Sequence, residues 1–313
     1  MIAVTKLLCC LFIFSNFALV FSRVGFKAQV TTWNVNEKPP VSNIEDLIQI
    51  KESPDFYAFT FQEVNPKANP LSKNDDRWVA ALKQSLSNKG FDLVDSKSID
   101  GSLTAVFAKS TLKSDITNVD TASKRTGQLN IIGNKGATAV RFDYKGQSIV
   151  FVGAHFHAHD DQVSKRIDDY NNIINGISFS KGKAKKIIEH DNVFWSGDLN
   201  FRIDGLRADQ IASIVKDKPL STAVIDLMNK DQLKNAMKQE QIFQGFVEGT
   251  ATFKPTYKYK IGTNDYNLER KPAFTDRVLY RLKSGAGRVV SYTANESFQI
   301  SDHKPVTALI AVD

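Results

Sequence analysis

Ten extended runs rich in β-branched and aromatic residues recur along the chain, at 28–35, 56–63, 91–94, 103–108, 137–144, 148–156, 192–198, 273–282, 289–292 and 306–312. They predict strands throughout and restrict the fold more than any other feature. Helical patterns separate many of them, at 44–51, 77–88, 162–177, 208–216 and 222–241. Tyr144-Lys145-Gly146-Gln147 reads as a tight turn between two long strands. Strands joined by both hairpins and helices predict an α/β fold of mixed sheets covered by helices, not a purely parallel doubly wound sheet. No internal repeat, low-complexity tract or Pro/Gly-rich linker marks a boundary, so residues 23–313 are expected to form one domain.

Residues 1–22 read as an export signal, with Lys6, an apolar stretch over 7–20 and a cleavage point after Ser22. That stretch is too short to span a bilayer comfortably. Both cysteines, Cys9 and Cys10, lie inside it, so the exported chain would carry no thiol or disulfide and would rely on core packing. Without Lys6 the chain has 40 basic and 34 acidic residues, a net charge of +6. That balance favours phosphates, nucleic acid or anionic lipid without choosing among them. Asn295-Glu296-Ser297 is the one N-glycosylation sequon outside the signal.

Acids, amides and histidines collect where these runs end. Asn34 and Asn36 interrupt the first, Gln62 and Glu63 end the second, and His155, His157 and His159 end "FVGAHFHAH". "FWSGDLNFRID" breaks to place Asp198 and Asn200 two residues apart, on one face if the strand continues; Asp302 and His303 precede the last run. One such pair is an ordinary turn, but five suggest rigid strand ends converging on one cleft. Glu63 is a hard oxygen donor that Asn34 can support, and few protein ligands with several waters suit Mg²⁺. Asp302-His303, set against an acid at Asp198, reads as part of an acid/base apparatus, because a carboxylate fixes an imidazole's tautomer and favours its cation.

Three further patterns compete for attention. His155, His157 and His159 would share a strand face, and "HFHAHD" approaches the H-x-H-x-D-H pattern of metallo-β-lactamase-fold zinc hydrolases, but with its last two positions exchanged. Only His190 and His303 remain to complete a dinuclear site, which weighs against zinc. "GNKGAT" fails as a nucleotide-binding P-loop because Asn134 separates Gly133 from Lys135, although Lys135 can still approach a substrate phosphate. The C-terminal third sets Lys254, Tyr257, Lys258, Arg270, Lys271 and Arg277 among aromatics and prolines, a pattern suited to phosphate oxygens and equally to a solvated basic face.

In order, "TWNVN", "FQEV", "GNKGATAVRF", "HFHAHDDQVSKRIDDY", "FWSGDLNFRI", "FKPTYKY", "KPAFTDRVLYR" and "SDHKPV" span residues 32–306. With these motifs the chain resembles the inositol polyphosphate 5-phosphatases, within the endonuclease/exonuclease/phosphatase superfamily. "GDLN" and "SDH" alone point only to the superfamily, which includes nucleases and sphingomyelinases; "PTYKY" followed by "PAFTDR" points to the 5-phosphatases.

The resemblance implies a DNase I-like, four-layered sandwich of two mixed β-sheets flanked by helices. It implies that Glu63 binds Mg²⁺ with Asn34 in support, and that Asp198 activates a water. Asn200, His155 and His303 would hold the scissile phosphate, and Asp302 would orient His303. Tyr257, Lys258 and Arg270 would hold the neighbouring 4-phosphate, with Lys271 and Lys135 as further cations. The chain departs from the family at Leu268, where a lysine is usual, at Glu37 and Ala137 in place of glycine, and at Phe274-Thr275 in place of Trp-Cys. It resembles secreted salivary members of the family in blood-feeding insects. The expectation is a secreted, monomeric, Mg²⁺-dependent phosphatase acting on PI(4,5)P₂, PI(3,4,5)P₃ and Ins(1,4,5)P₃. Peripheral contact with anionic membranes is expected, and no nucleic acid. A secreted sphingomyelinase- or nuclease-like phosphodiesterase and a non-catalytic phosphoinositide-binding protein are the alternatives.

Overall fold

The computed structural model describes residues 25–48, 53–65, 77–127 and 135–313. The expected export signal lies outside them.

Among the described residues, twelve strands form two six-stranded sheets. The first has the order β11-β12-β1-β2-β4-β3, built from β1 (Phe26–Asn34), β2 (Phe56–Gln62), β3 (Phe91–Ile99), β4 (Ser102–Lys109), β11 (Gly287–Ala294) and β12 (Val306–Val312). The second has the order β5-β6-β7-β8-β10-β9, built from β5 (Ile116–Arg125), β6 (Gly136–Tyr144), β7 (Gln147–His155), β8 (Asn192–Asp198), β9 (Val247–Glu248) and β10 (Asp276–Leu282). Each sheet holds one parallel pair, β1 with β2 and β7 with β8, and its other pairs are antiparallel. The sheets are therefore mixed, as the sequence predicts. At the hairpin between β6 and β7, Lys145 and Gly146 both take positive φ, the backbone that a two-residue turn requires.

Each strand's inward face changes character along its length. Phe26, Ala28 and Val30 of β1, Phe56 and Ala58 of β2, and Phe142, Phe151 and Phe194 of the second sheet fill one end with a common apolar core. Midway, hydroxyls take over: Thr60 meets Ser196 and Thr104 meets Thr138, each pair at 2.8 Å between the sheets. The next inward positions are Asn34, Gln62, His155 and Asp198. Alternation thus carries an apolar core at one end into a polar cluster at the other. Helix α1 (Arg77–Ser87) covers the first sheet through Trp78, Leu82 and Leu86. Helices α2 (Val163–Gly176) and α5 (Gln232–Lys238) cover the second through Tyr170, Ile173 and Leu233.

Three expectations need correction. Strands β5 and β9 were not foreseen: β5 is a polar, half-exposed edge and β9 has two residues, so neither gives an apolar alternation. The stretch 222–241 is not one helix. After α3 (Ala208–Asp217) it divides into α4 (Leu220–Met228) and α5, because Asp231 caps α5 by accepting from Lys234 N at 3.0 Å and gives the rest of its carboxylate to Arg277. Arg277 is buried between Asp231 and Glu248, so it ties α5 and β9 to β10 and is not free for a phosphate.

Candidate active site

At the polar end of the sandwich, both sheets contribute to one cluster centred on Asp198. Strand β8 presents it just after Gly197, which takes φ +151°; a Cβ at Gly197 would lie 1.9 Å from the Ala154 carbonyl oxygen on β7. Only glycine lets the two parallel strands approach so closely there. Asn34 Nδ2, at the end of β1, donates to Asp198 Oδ2 at 3.1 Å. His155 Nε2 lies 3.4 Å from the same oxygen and His303 Nε2 3.8 Å from it. The backbone N–H of Asn200, itself at φ +56°, donates to Asp198 Oδ1 at 3.2 Å. Asp198, His155 and His303 are all buried.

Burial alone would raise the Asp198 pKa, but the charge of His303, the hydrogen bond from His155 and the charge of Lys135 outweigh it and hold the carboxyl well below its usual range. Burial pulls His303 down, yet Asp276 and Asp198 reverse the effect and push it up to about 10. His155 is different: burial and the neighbouring Lys135 lower it, leaving a neutral ring. Lys135, itself lowered by burial, touches His155 Nε2. One imidazolium and one neutral imidazole therefore flank a single carboxylate.

The expected role of Asp302 needs correction. His303 Nδ1 is held by Asp276, at 2.9 Å from Oδ2 and 3.2 Å from Oδ1, and Asp276 is fixed in turn by Thr256 at 2.6 Å and Thr275 at 3.0 Å. The Asp302 side chain pairs with Lys258 at 3.6 Å. Residues adjacent in sequence at a bend point apart, whereas Asp276 faces Asp198 across the β8–β10 ladder. An acid opening an otherwise apolar strand, in "AFTDRVLY", was the available signal. Arg202 was also missed. It is buried, its Nε and Nη2 donate to the main-chain and side-chain oxygens of Asn200, at 3.0 and 2.5 Å, and its guanidinium lies 4.5 Å from the Tyr257 ring centre. That bond and one from Nδ2 to the Phe156 carbonyl, at 3.1 Å, orient the Asn200 amide.

The remaining candidates divide. Tyr257 packs on His303 with ring centres 4.6 Å apart, and Lys258 lies beside it. Arg270 and Lys271 sit further out, Arg270 near His159 at 3.5 Å and Lys271 paired with Asp160 at 3.6 Å. Lys254 pairs with Glu296 at the surface. The three histidines do not share a face, because β7 ends at His155: His157 Nδ1 pairs with Asp169 at 2.8 Å, and His159 is exposed.

Glu63 leaves the end of β2 at φ +52°, its carboxylate about 3.9 Å from His155 Nε2 and 32% exposed, unlike the buried acids beside it. Asn34 Oδ1 accepts one N–H from Asn36, at 3.0 Å, and keeps a second lone pair. Such oxygen donors, open on one side, fit a hard divalent ion that keeps several waters. Asp198, Asp276 and His303 also come within 4.8 Å of one another, a second group of donors in which His303 would have to release its proton to bind a metal.

Two mixed sheets whose ends meet on one buried cluster are the setting of the site, and the chain belongs to endonuclease/exonuclease/phosphatase family 2, whose family model matches residues 31–309. Its relatives there are inositol polyphosphate 5-phosphatases. The human phosphatidylinositol 4,5-bisphosphate 5-phosphatase A is 33% identical over 91% of this chain, and the mouse type II inositol 1,4,5-trisphosphate 5-phosphatase 31% over 92%. The chain spans about 30% of the length of each. Among solved structures, the inositol polyphosphate 5-phosphatase domain of SPsynaptojanin, in complex with inositol (1,4)-bisphosphate and calcium ion, matches with a TM-score of 0.82. It is 31% identical and is aligned over 92% of this chain and 84% of that one. Cimex nitrophorin, 23% identical with a TM-score of 0.75 over 92% of this chain and 98% of its own, shares the fold.

Proposed function

We propose that this chain is an exported phosphoric monoester hydrolase that removes the 5-phosphate from phosphoinositides such as PI(4,5)P₂ and PI(3,4,5)P₃ and from soluble inositol polyphosphates such as Ins(1,4,5)P₃. The observation that carries this reading is one carboxylate, Asp198, shared by Asn34, His155, His303 and the backbone N–H of Asn200 at the meeting of both sheets. The names of its relatives and the inositol bisphosphate in the similar solved structure support the substrate class.

Asp198 accepts the proton of a water as its oxygen bonds to phosphorus in line with the departing inositol 5-oxygen, which takes a proton from solvent. A carboxylate with so low a pKa is a weak base, so its main contribution is to orient the water. His303 stays protonated at neutral pH and donates from Nε2 to the phosphoryl oxygens. Asn200 and His155 hold the same group, and Lys135 adds positive charge. Glu63, with Asn34, would hold Mg²⁺, which when bound supplies charge neutralisation at phosphorus. Tyr257, Lys258, Arg270 and Lys271 line the approach for the neighbouring 4-phosphate. The protein works as a monomer, touches anionic membranes only peripherally, and does not use nucleic acid.

Phosphate release measured with Mg²⁺ on PI(4,5)P₂, Ins(1,4,5)P₃ and sphingomyelin tests this. The 5-phosphorylated substrates should turn over, and Asp198→Asn should slow them at least ~10²-fold. No release from either, or equal release by the variant, would end the proposal.

A further inference from the structure

Beside the candidate site a hairpin projects from the second sheet. Tyr257 and Ala273 exchange backbone hydrogen bonds at its base, Tyr259 bridges Tyr266, and Lys260 N reaches the Asp265 carbonyl at 2.9 Å. It is firmly held: the Tyr259 and Tyr266 rings pack 4.7 Å apart, both hydroxyls donate to the Pro255 carbonyl, and Gly262 N donates to the Gln299 carbonyl at 2.8 Å. Yet this rigid element carries two large aliphatic side chains in solvent, Ile261 at 53% and Leu268 at 47% exposure. Ile261 and Asn267 line one hollow of about 430 Å³ with Lys258, Lys260 and Asp302, which places Leu268 one residue from its rim.

The hairpin's own residues carry four cations, Lys258, Lys260, Arg270 and Lys271, against two acids. Lys260 and Arg270 are exposed, and Lys258 and Lys271 are partly exposed, each leaning on an acid, Asp302 and Asp160. Against them the hairpin carries Asp265 and Glu269, the latter tied to Asn267. The other exposed large apolar side chains among the described residues, Ile188, Leu220, Ile225, Val247 and Val290, sit on other elements, and Ile225 adjoins the acid Asp226. Aliphatic tips among cations suit an interface where acyl chains meet anionic headgroups.

We propose that this hairpin docks the protein on an anionic bilayer, with Ile261 and Leu268 entering the headgroup boundary and Lys260 meeting lipid phosphates. The proposal deepens the phosphatase reading and rests on it for its purpose. A phosphoinositide whose acyl chains stay in the membrane reaches Asp198 only if the face around Tyr257 lies against the bilayer. Because the hairpin is already ordered, docking costs little conformational entropy.

Sedimentation with phosphatidylcholine vesicles, with and without phosphatidylserine and free of phosphoinositide, tests docking apart from catalysis. The protein should bind the phosphatidylserine vesicles, and less so as salt rises. Ile261→Asp/Leu268→Asp should weaken that binding about tenfold or more, and Lys260→Glu should weaken it and flatten the salt dependence. Both variants should keep hydrolysis of soluble Ins(1,4,5)P₃ unchanged. The single variant Leu268→Ser, with its melting temperature compared to the parent, guards against loss of folding in the double one. Failure of the parent protein to bind, or equal binding by folded variants, would overturn the docking proposal. Vesicle binding without Ins(1,4,5)P₃ hydrolysis by the parent would instead overturn the phosphatase reading and leave docking standing.

Discussion

Asp276 lies directly opposite Asp198 in the β8–β10 ladder, and His303 joins the two carboxylates, Nδ1 to Asp276 at 2.9 Å and Nε2 toward Asp198 at 3.8 Å. Asp276→Asn therefore removes the group that fixes the imidazole's tautomer and supports its charge. Turnover of Ins(1,4,5)P₃ at neutral pH is expected to fall ~10²-fold or more, with the His303 pKa dropping toward its ordinary 6.5 in an NMR titration. Asp302→Asn should leave the His303 titration in place, since its side chain pairs with Lys258.

The same pair sets the pH response. His303 is raised to about 10 in the folded protein from an ordinary 6.5, so its stabilising contribution is complete below pH 6.5 and lost as pH rises through about 10. Asp198 is depressed from an ordinary 3.8, so its contribution is present above that value and fades as pH falls below it. Melting temperatures measured across pH should decline toward alkali in the parent protein, and His303→Gln should flatten that decline. A parent curve with no alkaline fall would contradict the charge state assigned here.

Gly197 sets how closely β8 can approach β7. Adding a methyl group would drive it into the Ala154 carbonyl, 1.9 Å away, in a region of φ that L-residues avoid. Gly197→Ala is expected to cost at least ~3 kcal/mol in urea unfolding and to abolish activity through displacement of Asp198. Gly205→Ala is the control: its φ is also positive, but open space surrounds it.

Glu63 stands more exposed than the acids around it, and its substitution separates metal affinity from folding. Glu63→Gln should leave the melting temperature of the metal-free protein nearly unchanged while raising, ~10-fold or more, the Mg²⁺ concentration needed for half-maximal phosphate release. Chelation of the parent protein should abolish release, and added Mg²⁺ should restore it.

Much of this was legible in the chain because strand ends are where side-chain alternation delivers polar groups to a fixed place. Asn34, Glu63, His155, Asp198 and His303 each close or precede an apolar run, and the structure brings them together. Asp276 and Arg202 were harder to see. Each depends on which strand or ring lies across from it, and pairing between residues 78 positions apart, such as Asp276 and Asp198, leaves no periodic trace. Strand β5 escaped because an edge facing water needs no apolar alternation. Asp302 misled because adjacency to His303 in sequence says nothing of direction at a bend.

The buried hydroxyl pairs have a bearing on the cleft above them. Asn34 ends a strand of the first sheet, with Glu63 just past β2 and His303 on the loop before β12, while His155, Asp198 and Asp276 lie in the second, so neither layer holds the whole cluster. Thr60 with Ser196, and Thr104 with Thr138, pin one layer to the other at mid-depth. A slide of a single strand residue, about 3.3 Å, would exceed every contact tolerance at Asp198. The alignment of the two half-centres is thus inherited from the protein's interior, and catalytic tolerance is a property of how the layers are bolted together.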